Sequence, residues 1–316
     1  MSKLEPETLS LLPVTWSAIE RSAVAWRRVY LFVAFSMGFS WIIGTVVYVT
    51  GGIGPDSPEL FAGIRLWNAL LVIYMFGPAI GNVLTRVVTD EGWRGLYLRP
   101  HLRRNWQWWL LAWVGLPLLI YLGGGLFFAL FPAFFDPTLS SVNELLHRTG
   151  QSGEIPFQPE QFVLIQTISA LTIATAINCV ATFGEEFGWR AYLVPKLLPL
   201  GNRQAVLLSG VIWGVWHWPL ILMGHNYPDT PLLGSVGMVY FTTVVGVLLA
   251  WVALRGESVW PAVIGHAAIN ANTGLAVLFQ QGDPSRLLGP MVIGVVGSLP
   301  LAVLALWLLV RSDSFG

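Results

Sequence analysis

Six residues in the C-terminal half of the chain have types and spacings suited to cleaving an amide. Glu185 and Glu186 are adjacent, and Arg190 follows Glu186 by four positions. His217 comes later, and His266 precedes Asn270 by four positions. Residues four apart share a helix face, so His266 and Asn270 point the same way. Glu186 and Arg190 form a pair in the favourable carboxylate-before-cation order. Glu185 is turned about 100° from Glu186 on the same helix and faces a different partner. A carboxylate held in a low-dielectric pocket acts as a general base on water. Imidazoles and an amide can hold that water and donate to a developing oxyanion.

All six lie in apolar stretches, which is where charge is costly. An ionisable side chain at bilayer depth costs about 2.5–3.5 kcal/mol on insertion scales, so such residues are functional candidates by default. The turn-rich Leu198-Pro199-Leu200-Gly201-Asn202 joins two of these stretches. Glu185 lies 16 residues before Gly201 and His217 lies 16 after it, which puts them at one depth of an antiparallel hairpin. A span entering near Ser258 carries His266 ~12 Å and Asn270 ~18 Å inward at helical rise.

The elements that must position these groups follow from composition. Of 316 residues, 55% are hydrophobic and 11% charged, against roughly 25% charged in a soluble domain. That excludes a soluble globular enzyme and a disordered chain. With Lys+Arg and Asp+Glu both at 17 and no dense basic cluster, it also excludes a nucleic-acid partner. Stretches of about 20 apolar residues can each cross a ~30 Å hydrocarbon core. Eight occur, at 29–50, 63–86, 106–131, 168–196, 203–224, 232–254, 258–281 and 287–310. The expected fold is an all-α polytopic membrane bundle of about eight helices, with seven as the alternative.

Running eight spans from a cytoplasmic N-terminus puts 14 of the 17 basic residues on the inner side, as the positive-inside rule asks. Both termini are then inside, and the expected location is a bacterial cytoplasmic membrane. The domain reading is a cytoplasmic tail over 1–28, one transmembrane helical domain over 29–310, and a short tail over 311–316. Within the outer loop 132–160, Ser140 to Arg148 reads as a short helix capped by Ser140 or Ser141, with Glu144 near its third position. Apolar character from Pro159 to Lys196 exceeds the bilayer thickness, so a break or interfacial segment is expected near 159–168. Gly77…Gly81 and Gly210…Gly214 have the spacing for close helix approach inside the bundle. Cys179, the single cysteine, reads as a small core residue. His225 reads as a loop residue.

Three motifs occur in order. Glu185-Glu186-Phe187-Gly188-Trp189-Arg190 has the pattern EExxxR. Trp213-Gly214-Val215-Trp216-His217 places an aromatic residue four positions before a histidine, with three residues between them. His266-Ala267-Ala268-Ile269-Asn270 has the pattern HxxxN. Together they resemble the CPBP family, the CAAX prenyl proteases and bacteriocin-processing (Abi) proteins, with a core at about 165–285. Trp213 stands where Phe is more usual.

The resemblance implies an intramembrane endopeptidase acting on a membrane-associated protein or peptide, lipidated or not. By carry-over, Glu185 activates water and His217 orients it. His266 and Asn270 form the oxyanion side, and Glu186 and Arg190 give support. Trp213 and Trp216 are candidates for a substrate groove. The preferred chemistry is metal-free. The alternative is zinc on Glu185, His217 and His266, since two histidines and a carboxylate are a plausible zinc set. Two other functions fit intramembrane Glu and His: a proton-coupled transporter, and a non-catalytic immunity or scaffold protein built on a protease-like bundle.

Overall fold

The computed structural model describes residues 23–149, 158–311 and 314–315. Its helices, in chain order, are α1 Trp26–Val49, α2 Leu66–Met75, α3 Gly77–Val88, α4 Leu102–Leu110, α5 Leu116–Leu130, α6 Ser140–Thr149, α7 Pro159–Leu171 and α8 Ile173–Gly188. There follow α9 Val194–Leu197, α10 Asn202–Trp216, α11 Trp218–Leu222, α12 Pro231–Arg255, α13 Trp260–Asn272 and α14 Leu299–Val310. A two-stranded hairpin, β1 Glu59–Phe61 with β2 Ile64–Arg65, leads into α2. Six helical stretches are long and apolar enough to cross a membrane: Trp26–Val49, Leu66–Val88, Leu102–Leu130, Pro159–Leu200, Pro231–Arg255 and Trp260–Phe279. The protein is an integral, multi-pass helical bundle.

Two of the eight expected spans are shorter than their apolar sequence. The stretch 203–224 breaks at His217 into α10 and α11, because Pro219 has no N–H with which to continue the ladder. The stretch 287–310 is helical only over the 12 residues of α14, about 18 Å at helical rise. Before α14 the chain turns repeatedly through Gly289, Pro290, Gly294 and Gly297. This irregular strip packs against α5, where a Cβ at Gly123 would lie 1.8 Å from the Gly297 carbonyl oxygen.

The overlong Pro159–Leu200 stretch also breaks, but at Thr172 (φ −121°, ψ −91°) rather than near 159–168. Helical sequence on both sides lets the break move to where its freed carbonyls find donors. Thr175 Oγ1 donates to the Ala170 carbonyl at 2.6 Å, and the Trp113 indole N–H donates to that of Leu171 at 2.7 Å. Backbone irregularity inside a membrane is tolerated where such groups re-satisfy it. Beyond the break, the two ends of α8 have different surroundings. Ile173, Ile177 and Val180 are exposed, as lipid-facing residues would be, whereas the chain from Ala181 to Leu198 is almost wholly buried.

Core packing gathers around α12, which runs against α10, α13 and α14. The two glycine pairs serve packing inside the bundle. A Cβ at Gly214 would lie 2.5 Å from Val239 Cα on α12, and one at Gly77 would lie 1.9 Å from Ser40 Oγ on α1. In the outer loop, α6 begins at Ser140 as expected, but its cap is Asp136. That carboxylate accepts from the backbone N–H groups of Thr138 and Ser140 and from both hydroxyls. Cys179 is half-buried and packs beside Phe187 and Val263.

Candidate active site

The buried half of α8 carries Glu185 and Glu186, both almost fully enclosed. Adjacent positions on a helix diverge by about 100°, and here that divergence gives the two carboxylates different company. Glu186 Oε1 accepts from Arg190 Nη1 at 2.9 Å, one turn on, and pairs with His266 Nδ1 of α13 at 2.8 Å. Arg190 is buried too, and its guanidinium lies over the Trp213 ring, 4.3 Å from the centroid. Just past Glu186 the helix widens over Trp189–Leu193 into a π turn, a local form often found at functional sites.

Among the described residues, Glu185 makes no ion pair with a cation. Its Oε2 accepts from the indole N–H of Trp213 at 2.7 Å. Trp213 lies on α10 one turn before His217, so the depth reckoning from Gly201 is correct to within a turn. The direct contact, however, is made by the tryptophan. His217 sits where α10 ends, and its Nδ1 bonds to the Trp213 backbone carbonyl at 2.9 Å. With a carbonyl as the acceptor, Nδ1 carries the proton and Nε2 presents a lone pair.

A cavity of about 270 Å³ opens beside these groups, and Glu185, His217, His266 and Asn270 all line it. Trp213 and Trp216 line it as well. Glu186 and Arg190 do not line it; they lie behind His266 and Trp213. Trp216 is buried, and its backbone carbonyl accepts from the Tyr74 hydroxyl of α2 and the Trp41 indole of α1. Tyr74 and Thr242 also face the cavity. Neither stands out in the sequence, because single hydroxyls on apolar helices are common. His225, read from the sequence as an ordinary loop residue, lines the cavity too. The turn after α11 folds it back, with its N–H on the Leu220 carbonyl at 3.0 Å.

Zinc is tested by the donor set. Among the described residues, no three His, Cys, Asp or Glu side chains are grouped to hold a metal ion. Nδ1 of each imidazole is engaged, by Glu186 and by the Trp213 carbonyl, the kind of outer hydrogen bond that a metal-ligating histidine also makes through its second ring nitrogen. The chemistry below uses only the chain's own groups.

Comparison with known proteins bears on the same segment. Residues 167–272 match the Rce1-like family model, type II CAAX prenyl endopeptidase Rce1-like. This shows the CAAX-protease resemblance carried by the three motifs. The matched segment runs from α7 through α13 and contains Glu185, Glu186, Arg190, Trp213, His217, His266 and Asn270. The chain is also similar to CAAX prenyl protease 2 of Methanococcus maripaludis, 29% identical over 151 residues. That alignment covers 46% of this chain and 51% of the relative. The chain thus spans about half the length of the curated relative it matches. The first three spanning stretches lie outside the Rce1-like segment, yet the second, Leu66–Val88, helps shape its pocket. Tyr74 lines the cavity from α2, and Asn82 of α3 donates to the Phe187 carbonyl at 2.8 Å.

Proposed function

We propose that this protein is an intramembrane endopeptidase of the CAAX-protease type, hydrolysing a peptide bond of a membrane-associated protein or peptide. The observation that carries the reading is that Glu185, which among the described residues makes no ion pair, shares a cavity with two imidazoles and an amide. The name of the relative supports a CAAX-type substrate.

In this reading a water in the cavity donates one hydrogen bond to Glu185 and the other to Nε2 of His217. The water oxygen attacks the scissile carbonyl carbon as Glu185 takes its proton. Negative charge moves to the carbonyl oxygen, where His266 Nε2–H and the Asn270 amide stabilise it. Donation from Nε2 requires the imidazolium form of His266. In that form Glu185, Glu186, Arg190 and His266 sum to zero charge. When the C–N bond breaks, Glu185 returns the proton to the leaving amine. Trp213 is a positioning residue, because its indole N–H fixes the rotamer of Glu185.

The test is comparative terminal proteomics of membranes from cells carrying the wild type or Glu185→Ala. New protein termini present only with the wild type are expected. Identical termini in both would contradict the reading. Solute flux through proteoliposomes with no cleavage would favour a transporter instead.

A further inference from the structure

A second charged cavity lies beside the segment from the π turn Trp189–Leu193 through α9, away from the candidate active site. It has a volume of about 340 Å³, and Arg28, Arg86, Arg94, Lys196, Glu91 and Tyr192 line it. Three of these cations, Arg28, Arg86 and Lys196, gather on Glu91, which among the described residues is the acid in the lining. That carboxylate is already divided among several neighbours. Oε1 pairs with Lys196 Nζ and lies 3.8 Å from Arg86 Nη1. Oε2 accepts from the Tyr192 hydroxyl at 2.9 Å and lies 3.5 Å from Arg28 Nε.

The cations do different work. Arg86 is almost fully buried, and its donors are taken by Asn82 Oδ1 and the carbonyls of Gly92, Arg94 and Gly95. It pins the loop after α3 and contributes field rather than open contacts. Arg28 and Lys196 keep 34% and 21% of their side-chain surface exposed, so they can still reach a ligand.

The level of this cavity is marked independently. Trp26 and Tyr30 flank Arg28 on α1, are exposed, and stack with centroids 5.7 Å apart. Trp93, in the loop beside the cavity, is also exposed. Exposed Trp and Tyr at a helix end mark the headgroup layer. A basic pocket between spanning helices at that layer suits the phosphate of an anionic headgroup, which Arg and Lys bind by charge-assisted hydrogen bonds.

We propose that this cavity binds a phosphate group, with Arg28 and Lys196 as its direct contacts and Arg86 as background charge. The source suited to its level is the headgroup of an anionic glycerophospholipid, and free phosphate is the alternative source.

The test uses the full chain in phosphatidylcholine nanodiscs, with melting followed as phosphatidylglycerol, inorganic phosphate or oleate is added. Phosphatidylglycerol is expected to raise the wild-type melting temperature, and the rise should vanish in the double variant Arg28→Gln/Lys196→Gln. Should that variant fail to fold, Arg28→Gln alone leaves the Lys196–Glu91 pair intact and should still lower the rise. Arg104→Gln, an exposed cation paired with Glu257, should leave it unchanged. A rise with lipid and not with inorganic phosphate assigns the headgroup, and a rise with both assigns an open phosphate site. An equal rise in the double variant, or an equal rise with oleate, which carries charge but no phosphate, would overturn the proposal.

Discussion

Two regions of this molecule hold charge where it is costly, and they are balanced in opposite directions. In the candidate active site, two carboxylates share one guanidinium, and one of the imidazoles pairs with Glu186. Arg190 and His266 are both committed to Glu186, which leaves Glu185 with a neutral indole donor. At the charged end, Arg28, Arg86 and Lys196 share Glu91. The first region leaves one carboxylate outside its ion pairs, and the second gathers several cations around one carboxylate. What is left over beside a cavity indicates what the cavity is suited to take: an attacking water in the first case, an anion in the second. A fully neutralised network would indicate support alone, and Glu186 with Arg190 comes close to that condition.

Substitutions at the adjacent carboxylates should separate chemistry from support. Glu186→Ala leaves Arg190 buried and uncompensated, which costs about 3–5 kcal/mol for a broken buried pair. A large drop in melting temperature is expected, and an unchanged melt would show that Arg190 is neutralised some other way. At the charged end, Lys196→Ala should cost about 1 kcal/mol or less, because partly exposed pairs contribute little. A loss there as large as that of Glu186→Ala would erase the contrast between the regions.

Trp213→Phe sharpens the role of the indole. It keeps an aromatic ring and removes the donor to Glu185. A hydrogen bond to a charged group contributes about 1.5–3 kcal/mol, so cleavage should slow by roughly tenfold or more, mainly in kcat. Unchanged kcat would mean that Glu185 is held by packing alone. The smallest effect concerns acid. Burial alone would raise the carboxyl of Glu91, but Lys196, Tyr192 and Arg86 outweigh it, so the group sits below the usual glutamate value. A depressed carboxyl stabilises the fold above its unfolded value, about 4.3, and that stabilisation is lost as pH falls through the folded value. The wild-type melting temperature should therefore fall more steeply below about pH 4 than that of Glu91→Gln. Equal slopes would count against the network.

The bundle was legible in the sequence because apolar run length is a one-dimensional signal. The shared cavity of Glu185, His217, His266 and Asn270 was approachable by counting from Gly201 and by the four-residue spacings. What was not legible depends on which side chains turn toward one another. Counting fixes depth, so it placed His217 near Glu185, but it did not reveal that the Trp213 indole makes the contact. Apolarity does not show that Gly289, Pro290, Gly294 and Gly297 turn half of the last stretch into an irregular strip. The break in the long stretch fell at Thr172 because Thr175 and Trp113, one local and one distant, cover its carbonyls. Arg28, Arg86, Glu91 and Lys196 are far apart in sequence, and their cavity had no linear signature.

The central claim is that Glu185 activates the attacking water while Glu186 serves structure. The most direct measurement is cleavage by purified, membrane-reconstituted wild type and Glu185→Gln of a peptide carrying the cleavage site found by terminal proteomics, with melting recorded on the same samples. Loss of a general base costs about 10²–10⁴-fold in rate. A fall in kcat of that order with nearly unchanged melting is predicted; wild-type turnover by Glu185→Gln would contradict the account.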